Sequence, residues 1–549
     1  MTTSTHRVPT DTLTPVPARA YAPGSPEWVT TAAALDSVRN GGFDIPLIIG
    51  SREVRTDHQE AIVTPHRHSA RLGHVHHAGV PHVAAAIDAA GDAARTWGRT
   101  PAQHRLEPFR RAADMLADGP WRDRINAAAM LELSKTAYEA DIDAACETAD
   151  FLRAGIRNQT DLHAVQPDSP AGVTDHLDYR PLEGFVLAIT PFNFASTCNL
   201  AFGPALLGNT VVWKPAESAS LTAHLCLQLL REAGLPDGVV NLLHGNGAEL
   251  GPSALADPRL AAVNFTGSTT TFRSIWRTVG QNIDRYRDYP RLIGETGGKG
   301  FVLAHPSADL DVLAAALVRG AYEYQGQKCS AASRLYVPRS LWPALRERLV
   351  ELTRGITVGD PTVPGTYVGA VINARQHAKH EQVLRRARQE GIVVVGGGTD
   401  DDEGWFVDPT VLEVSDPRAA FMTEEFFGPI LSAYVYDDAD WAETVTLVDS
   451  TTPYGLTGSV FAGDEKAITE AEEKLRYTAG NFSINDKPTS AAVGQQPFGG
   501  SRASGTNDKT GTVWNSIRFV SPRTVKRQHQ PVEDYRYPHL EPGPVRYPE

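Results

Sequence analysis

The chain has 549 residues, of which 41% are apolar and 21% charged, and a net charge of −13 with histidine taken as neutral. That acidity excludes the broad basic field a nucleic-acid partner needs. The length exceeds the roughly 250–300 residues at which a single core stops growing, so two or more domains are expected. No run of about 18 apolar residues is present, so no membrane span or membrane partner is expected. The start of the chain lacks the apolar stretch of a secretory signal. Four cysteines (Cys146, Cys198, Cys226, Cys329) are spread without a CxxC pair or close Cys/His spacing. That argues against a disulfide framework and for no metal site, and it suits a reducing, cytoplasmic setting.

Residues 1–25 are rich in Pro, Thr and Ser and read as an extended arm. A histidine-rich stretch follows: His66, His68, His74, His76, His77 and His82. It reads as an exposed hairpin; the alternative, metal binding, lacks framing cysteines or carboxylates. Helical periodicity covers 83–98, 104–118 and 127–155. Residues 163–180 are polar and poorly periodic, a linker or an arm joining subunits. From 185 onward strands and helices alternate: strands at 185–189, 210–213, 239–243 and 261–265, a helix at 220–233 closed by Gly234, and a helix opening near Ser268. This alternation predicts a parallel, doubly wound α/β sheet. A second alternating set from 301 to 485 predicts a second α/β domain. The tail from 521 to 549 is rich in Pro, Arg and Tyr and is again a linker or an arm.

A dinucleotide GxGxxG fingerprint is missing; the nearest match, Gly245-Asn-Gly247-Ala-Glu-Leu-Gly251, sets its third glycine one residue late. Other segments carry more chemistry. Cys329 stands in Gly326-Gln-Lys-Cys-Ser-Ala-Ala-Ser333. A lone cysteine is most often a small buried hydrophobe, but a polar, glycine-containing turn with Lys328 alongside favours a thiolate. Glu295, in Gly294-Glu-Thr-Gly-Gly-Lys299, is a candidate general base or a solvated loop carboxylate. Asn193, in Thr190-Pro-Phe-Asn-Phe194, follows a predicted parallel strand, and its amide is a candidate oxyanion donor.

Asn193, Glu295 and Cys329, in this order and spacing, resemble the aldehyde dehydrogenase superfamily. Val212-Trp-Lys-Pro215, Asn264-Phe-Thr-Gly-Ser268, Glu424-Glu-Phe-Phe-Gly-Pro429, Pro453-Tyr-Gly-Leu-Thr-Gly458, Val493-Gly-Gln-Gln-Pro-Phe-Gly-Gly500 and Ser504-Gly-Thr-Asn-Asp-Lys509 match too. Together they resemble the glutamate semialdehyde (Δ1-pyrroline-5-carboxylate) dehydrogenase branch. The resemblance implies two doubly wound parallel-sheet domains plus a small bridging element. Residues 1–160 and 182–297 would form the NAD-binding domain, 298–497 the catalytic domain, and 161–181 with 515–549 the bridging and oligomerisation segments. It implies NAD-dependent oxidation of glutamate γ-semialdehyde to glutamate in a homodimer or larger homo-oligomer, with a small-molecule aldehyde as the only partner besides the cofactor.

By the same resemblance Cys329 is the nucleophile, Asn193 with the Cys329 N–H the oxyanion donors, and Glu295 the base that activates water. Thr190, Pro191, Phe192, Lys214, Glu217, Gly267, Ser268, Thr296, Gly297, Glu425 and Phe427 would contact NAD, with Lys214 and Glu217 at the adenosine ribose. Phe194, Ser330, Ser333, Ser490, Ala491 and Phe498 would bind substrate. Four departures from the branch's usual pattern stand out. Ser490 replaces Gly, Ser483 replaces Tyr, Ala154 and Gly155 replace Phe-Asn, and the segment after Phe194 is one residue short. They leave open an altered substrate, such as a substituted or longer semialdehyde with a pocket widened at Ala154, beside neutral drift. A catalytically silent scaffold is the alternative of another class.

Overall fold

The computed structural model describes residues 14–540. The first part of the expected arm and the end of the expected tail lie outside this range.

The first sheet has seven strands in the order Arg291–Glu295, Leu260–Thr266, Phe185–Thr190, Thr210–Pro215, Val240–Leu242, Leu47–Ile49, Arg52–Val54. The first five pair in parallel and the last two are antiparallel. The central segments FVLAIT, TVVWKP and LAAVNFT are apolar almost throughout and buried along nearly their whole length, as strands covered on both faces must be. Their register sets Thr190 beside Pro215, Ile189 beside Lys214 and Thr266 beside Glu295. All lie on the carboxyl edge of the sheet, where open α/β sheets take ligands.

The second sheet, also seven-stranded, runs Val393–Val395, Thr410–Val414, Ile430–Tyr436, Ala332–Pro338, Gly300–Ala304, Thr457–Phe461, Asn481–Ile484, with only the first strand antiparallel. The chain leaves the first sheet at Glu295 and enters the second at Gly300. The carboxyl edge of one sheet therefore faces the amino edge of the other. A two-stranded antiparallel ribbon pairs Val173–Pro181 with Val520–Gln528 over nine residues each. The preceding helix runs on to Ala164, so the ribbon starts later than the polar composition suggests.

Two expectations are corrected. The single helix read at 127–155 is broken: Pro120–Leu133 ends at Ser134, which adopts a left-handed φ of 58°. The chain resumes as Ala137–Ala140, a π-helical stretch Asp141–Glu147 and Thr148–Ala164. The break is fixed by tertiary contacts, since the Ser134 hydroxyl accepts the Ala370 N–H at 3.0 Å and its carbonyl accepts the Gln325 amide at 3.0 Å. The histidine-rich stretch is a hairpin, Gln59–Thr64 with Arg67–His76, but not an exposed one. His66, His76 and His77 are buried; His76 Nε2 meets Asp44 at 2.8 Å and His66 Nδ1 meets the Ser134 hydroxyl at 3.2 Å. Among the described residues no group of three His, Cys, Asp or Glu side chains is placed to hold a metal ion.

The described part of the arm is clamped by buried carboxylates. Val16 N donates to Asp150, and Arg19 N and the Tyr21 hydroxyl donate to Asp141. Asp141 also takes both Nε and Nη2 of Arg122 at 2.7 Å, with the pair 0–4% exposed. Asp141→Ala is expected to strand a buried guanidinium and cost about 3–5 kcal/mol. Thermal unfolding checks this, and an unchanged midpoint would show that the arm is not anchored there.

Candidate active site

Cys329 lies just before the strand Ala332–Pro338, at the amino edge of the second sheet. The three residues ahead of its approach, Tyr324, Gln325 and Gly326, have φ of 52°, 56° and 63°. Three successive left-handed residues are costly and persist only when the surroundings over-determine them. Here they do. Gln325 is buried, donates to the carbonyls of Ser134 and Ala370 and accepts from Gly369 N; the Gln327 side chain accepts from Ile372 N at 2.9 Å. At Gly326 a Cβ would run into the carbonyl of Gly428, so only glycine fits. Two glutamines thus bolt the turn before Cys329 to the segment 369–372.

The thiol of Cys329 donates to Glu295 Oε1 at 3.9 Å. Burial pushes the thiol well above its usual range, and the Glu295 and Glu425 carboxylates push it further. Burial also raises Glu295, to about 7, against the opposing pull of Lys509 and the thiol hydrogen bond. The result is a protonated thiol facing a carboxyl group poised near neutrality, the state a general base requires. The free edge of the strand Arg291–Glu295 is finished by the segment 504–506. Thr296 N donates to the Ser504 carbonyl, Gly294 N to the Thr506 hydroxyl, Thr506 N to the Gly294 carbonyl, and Glu295 forms a β-bridge with Gly505.

Asn193 is buried, and its side-chain amide donates to the Gln327 carbonyl at 3.0 Å. One amide proton is thereby used to hold it beside the Cys329 turn, which leaves the second to donate elsewhere. Asp143 steadies the following residues by accepting the N–H groups of Ala195 and Ser196 and the Lys135 ammonium at 3.0 Å. Lys135 in turn sits 4.9 Å over the Phe194 ring and 3.8 Å over the Tyr324 ring.

A cavity of about 880 Å³ opens over Cys329, Glu295 and Asn193, and Phe194, Ser330, Ser490, Ala491 and Phe498 are in its wall. Ser333 is not; it sits where the pairing of Gly300–Ala304 with Ala332–Pro338 shifts register. Ala154 and Gly155 are not there either. Ala154 is fully buried and Gly155 faces Leu206 of the next helix, so the expected widening at 154 does not occur. Ser490 does not need the left-handed conformation that its replacement of glycine put in question. Its hydroxyl lies 3.1 Å from that of Ser483, so two of the four departures are in contact.

The remaining predicted residues are not in this wall; most of them follow the carboxyl edge of the first sheet. Lys214 stands next to Gly247, its ammonium drawn below the usual amine range by burial, with Glu217 opposing. The helix Thr269–Gln281 opens at this edge with Ser268 as its cap, accepting Thr271 N at 3.2 Å. Such a helix start attracts anions. Gly267 N binds the Glu295 carbonyl, and the Thr296 hydroxyl donates to the Ala503 carbonyl. A Cβ on Gly297 would overlap the Glu425 carboxylate, which accepts Gly298 N at 2.8 Å. From the first sheet's loop Thr190-Pro191-Phe192, the Phe192 ring meets Phe427 edge-on at 6.0 Å; the Thr190 hydroxyl accepts the Trp213 indole N–H. Sequence reasoning missed Lys135, Asp143, Gln325 and Gln327. The one local signal was a lysine closing an otherwise alanine-rich helical run.

The model of the "Aldehyde dehydrogenase family" matches residues 54–525. Bovine mitochondrial "Delta-1-pyrroline-5-carboxylate dehydrogenase" is 44% identical over 529 residues, covering 96% of this chain and 94% of the relative. The Agaricus bisporus protein of that name, without the mitochondrial designation, is 43% identical over 527 residues, covering 95% and 96%. Among solved structures, the Delta-pyrroline-5-carboxylate dehydrogenase from Mycobacterium tuberculosis bound with NAD superposes with a TM-score of 0.92 at 47% identity, covering 96% of this chain and 98% of that one. The 1-pyrroline-5-carboxylate dehydrogenase from Thermus with bound NAD gives 0.87 at 32% identity, covering 94% and 99%.

Proposed function

The chain belongs to the aldehyde dehydrogenase family, and from that premise we propose that it oxidises L-glutamate γ-semialdehyde, the open form of 1-pyrroline-5-carboxylate, to L-glutamate with NAD. The observation that carries the reading is the Cys329 thiol donating to Glu295 at 3.9 Å under a cavity large enough for a small aldehyde. Relatives of that activity name cover nearly the full chain at 44% identity.

Cys329 attacks the aldehyde carbon after its proton passes to Glu295. The free amide proton of Asn193 and the Cys329 N–H take the developing oxyanion. NAD, when bound, accepts the hydride that leaves the adduct. Once Glu295 has given the thiol's proton up to solvent, its carboxylate removes a proton from the water that hydrolyses the thioester, releasing the acid and returning Cys329 to its starting state. The residues fit the cofactor. The helix start at Ser268 and Gly267 suits the pyrophosphate, Lys214 and Glu217 the adenosine ribose, and a carboxylate at 217 disfavours a 2′-phosphate. Thr190, Pro191, Phe192, Thr296, Gly297, Glu425 and Phe427 would flank the nicotinamide half, with Gly297 leaving room for the Glu425 carboxylate. Phe194 and Phe498 would line the aliphatic stem, and Ser330 with the Ser490–Ala491 backbone would take the carboxylate head. Ser333 would act only from behind this wall.

In the same reading, 1–160 with 182–297 bind the nucleotide and 298–497 carry the nucleophile. Residues 161–181 with 515–549 join subunits of a homodimer or larger assembly. The exposed nine-residue ribbon supports that joining role. Four free thiols suit the cytoplasm. No helix among the described residues is long and apolar enough to cross a membrane.

Steady-state turnover over a panel of semialdehydes tests the substrate. Brisk NADH formation from pyrroline-5-carboxylate is expected; little from it alongside rapid turnover of another aldehyde would overturn the assignment. The Ser483–Ser490 hydroxyl pair favours a second reading, a semialdehyde carrying an extra polar substituent, and the same panel separates the two.

A further inference from the structure

Glu323 follows the helix Leu310–Tyr322, six residues before the nucleophile. Its Oε2 accepts the Lys328 ammonium at 3.1 Å and the Lys487 ammonium at 2.7 Å, and its Oε1 accepts Arg319 Nε at 3.1 Å. Glu323 and the two lysines on its Oε2 are only 14–16% exposed, and these three residues and Arg319 are all in the cavity wall. One carboxylate therefore holds three cations together. Burial acts to raise Glu323, but Lys328 and Lys487 overcome it and bring the carboxyl to about 2. Around the node, Asp486 is exposed and accepts the Lys487 N–H, while Glu139 is occupied by the N–H groups of Tyr324 and Thr136.

The connectivity gives the node its meaning. Lys328 is bonded to Cys329. Lys487 belongs to Asp486-Lys-Pro-Thr-Ser-Ala491, whose Ser490–Ala491 backbone is assigned above to the substrate's carboxylate. The same helix end supports that segment directly: a Cβ on Gly320 would stand 3.4 Å from Lys487 Cβ and 3.6 Å from Pro488 Cδ. Through Glu323 the carboxylate-binding segment and the nucleophile are tied to one point.

We propose that Glu323 is a positioning residue for substrate specificity, fixing the Ser490–Ala491 segment at a set distance from Cys329 so that aldehydes carrying a carboxylate at the matching chain length are selected. The proposal rests on the function given above. Removing the charge leaves three cations facing one another, and Lys328 and Lys487 separate by repulsion. The segment then moves relative to the thiol. A neutral aldehyde, which reaches Cys329 without that segment, does not register the change.

The test compares Glu323→Gln with wild type on glutamate semialdehyde and on propanal, with thermal unfolding of each protein as the folding control. The expected result is a KM for the semialdehyde raised about ten- to a hundredfold, the scale of a lost charged hydrogen bond. Its kcat and the propanal constants should stay within about threefold. Lys487→Met should reproduce the split and add little to Glu323→Gln, because both cut the same tether; it also supplies the readout should Glu323→Gln fail to fold. Equal losses on the two aldehydes, or additive effects of the two substitutions, would overturn the proposal while leaving the function intact. A wild-type chain that does not oxidise the semialdehyde overturns the function and this proposal with it.

Discussion

Cys329→Ala is expected to lower NADH production by about 10⁶-fold, the scale seen when the nucleophile of a covalent mechanism is removed. No other thiol can take over. Of the four cysteines, Cys329 alone borders the cavity, and the other three are buried. The fold should survive, because the Sγ atom makes one long hydrogen bond and the turn is held by Gln325 and Gln327 rather than by the thiol. Activity assays beside thermal unfolding, with and without NAD, check both halves. A variant that retains activity within about tenfold of wild type would refute the nucleophile assignment.

Glu295→Gln is expected to slow both the first-turnover release of NADH and the steady state by about 10²–10⁴-fold, the contribution of a positioned general base. The amide keeps the shape of the carboxyl group but can take neither the thiol proton nor that of the hydrolytic water. The wild-type pH profile carries the same signature. Glu295 is active as the carboxylate, and its pKa is raised to about 7 chiefly by burial. Turnover should therefore be full above about 7 and fall as the pH drops through it, and this acid limb should vanish in the variant. Rapid-quench and steady-state kinetics across pH read both effects; a normal steady state in Glu295→Gln would remove Glu295 from the base role.

Much of this was legible in the sequence because the signals are local. The apolar runs at 185–189, 210–213 and 261–265 read as strands and are, each extending one or two residues further. Ser268 reads as a helix start and caps Thr269–Gln281. The residues Asn193, Glu295 and Cys329 do meet at one cavity, although the first and the last are 136 positions apart. What the sequence hid is non-local. The break at Ser134 depends on Ala370 and Gln325, far along the chain, and period 3.6 cannot report it. The histidines of the hairpin looked exposed by composition, but His66 and His76 are buried against partners such as Ser134 and Asp44, and of the strand pair's histidines only His74 stays exposed. Ala154 and Ser490 looked like pocket residues by position. One packs inward and the other lines the cavity in an ordinary backbone conformation.

The stitching of 504–506 onto Glu295 has a bearing on how the molecule is made. Glu295 lies near the middle of the chain, but the segment that completes its strand edge is synthesised about two hundred residues later, a contact of high sequence separation. Every strand of the first sheet precedes that segment in the chain, so the hydrogen bonds that finish the Arg291–Glu295 edge are available only once residues 504–506 have been made.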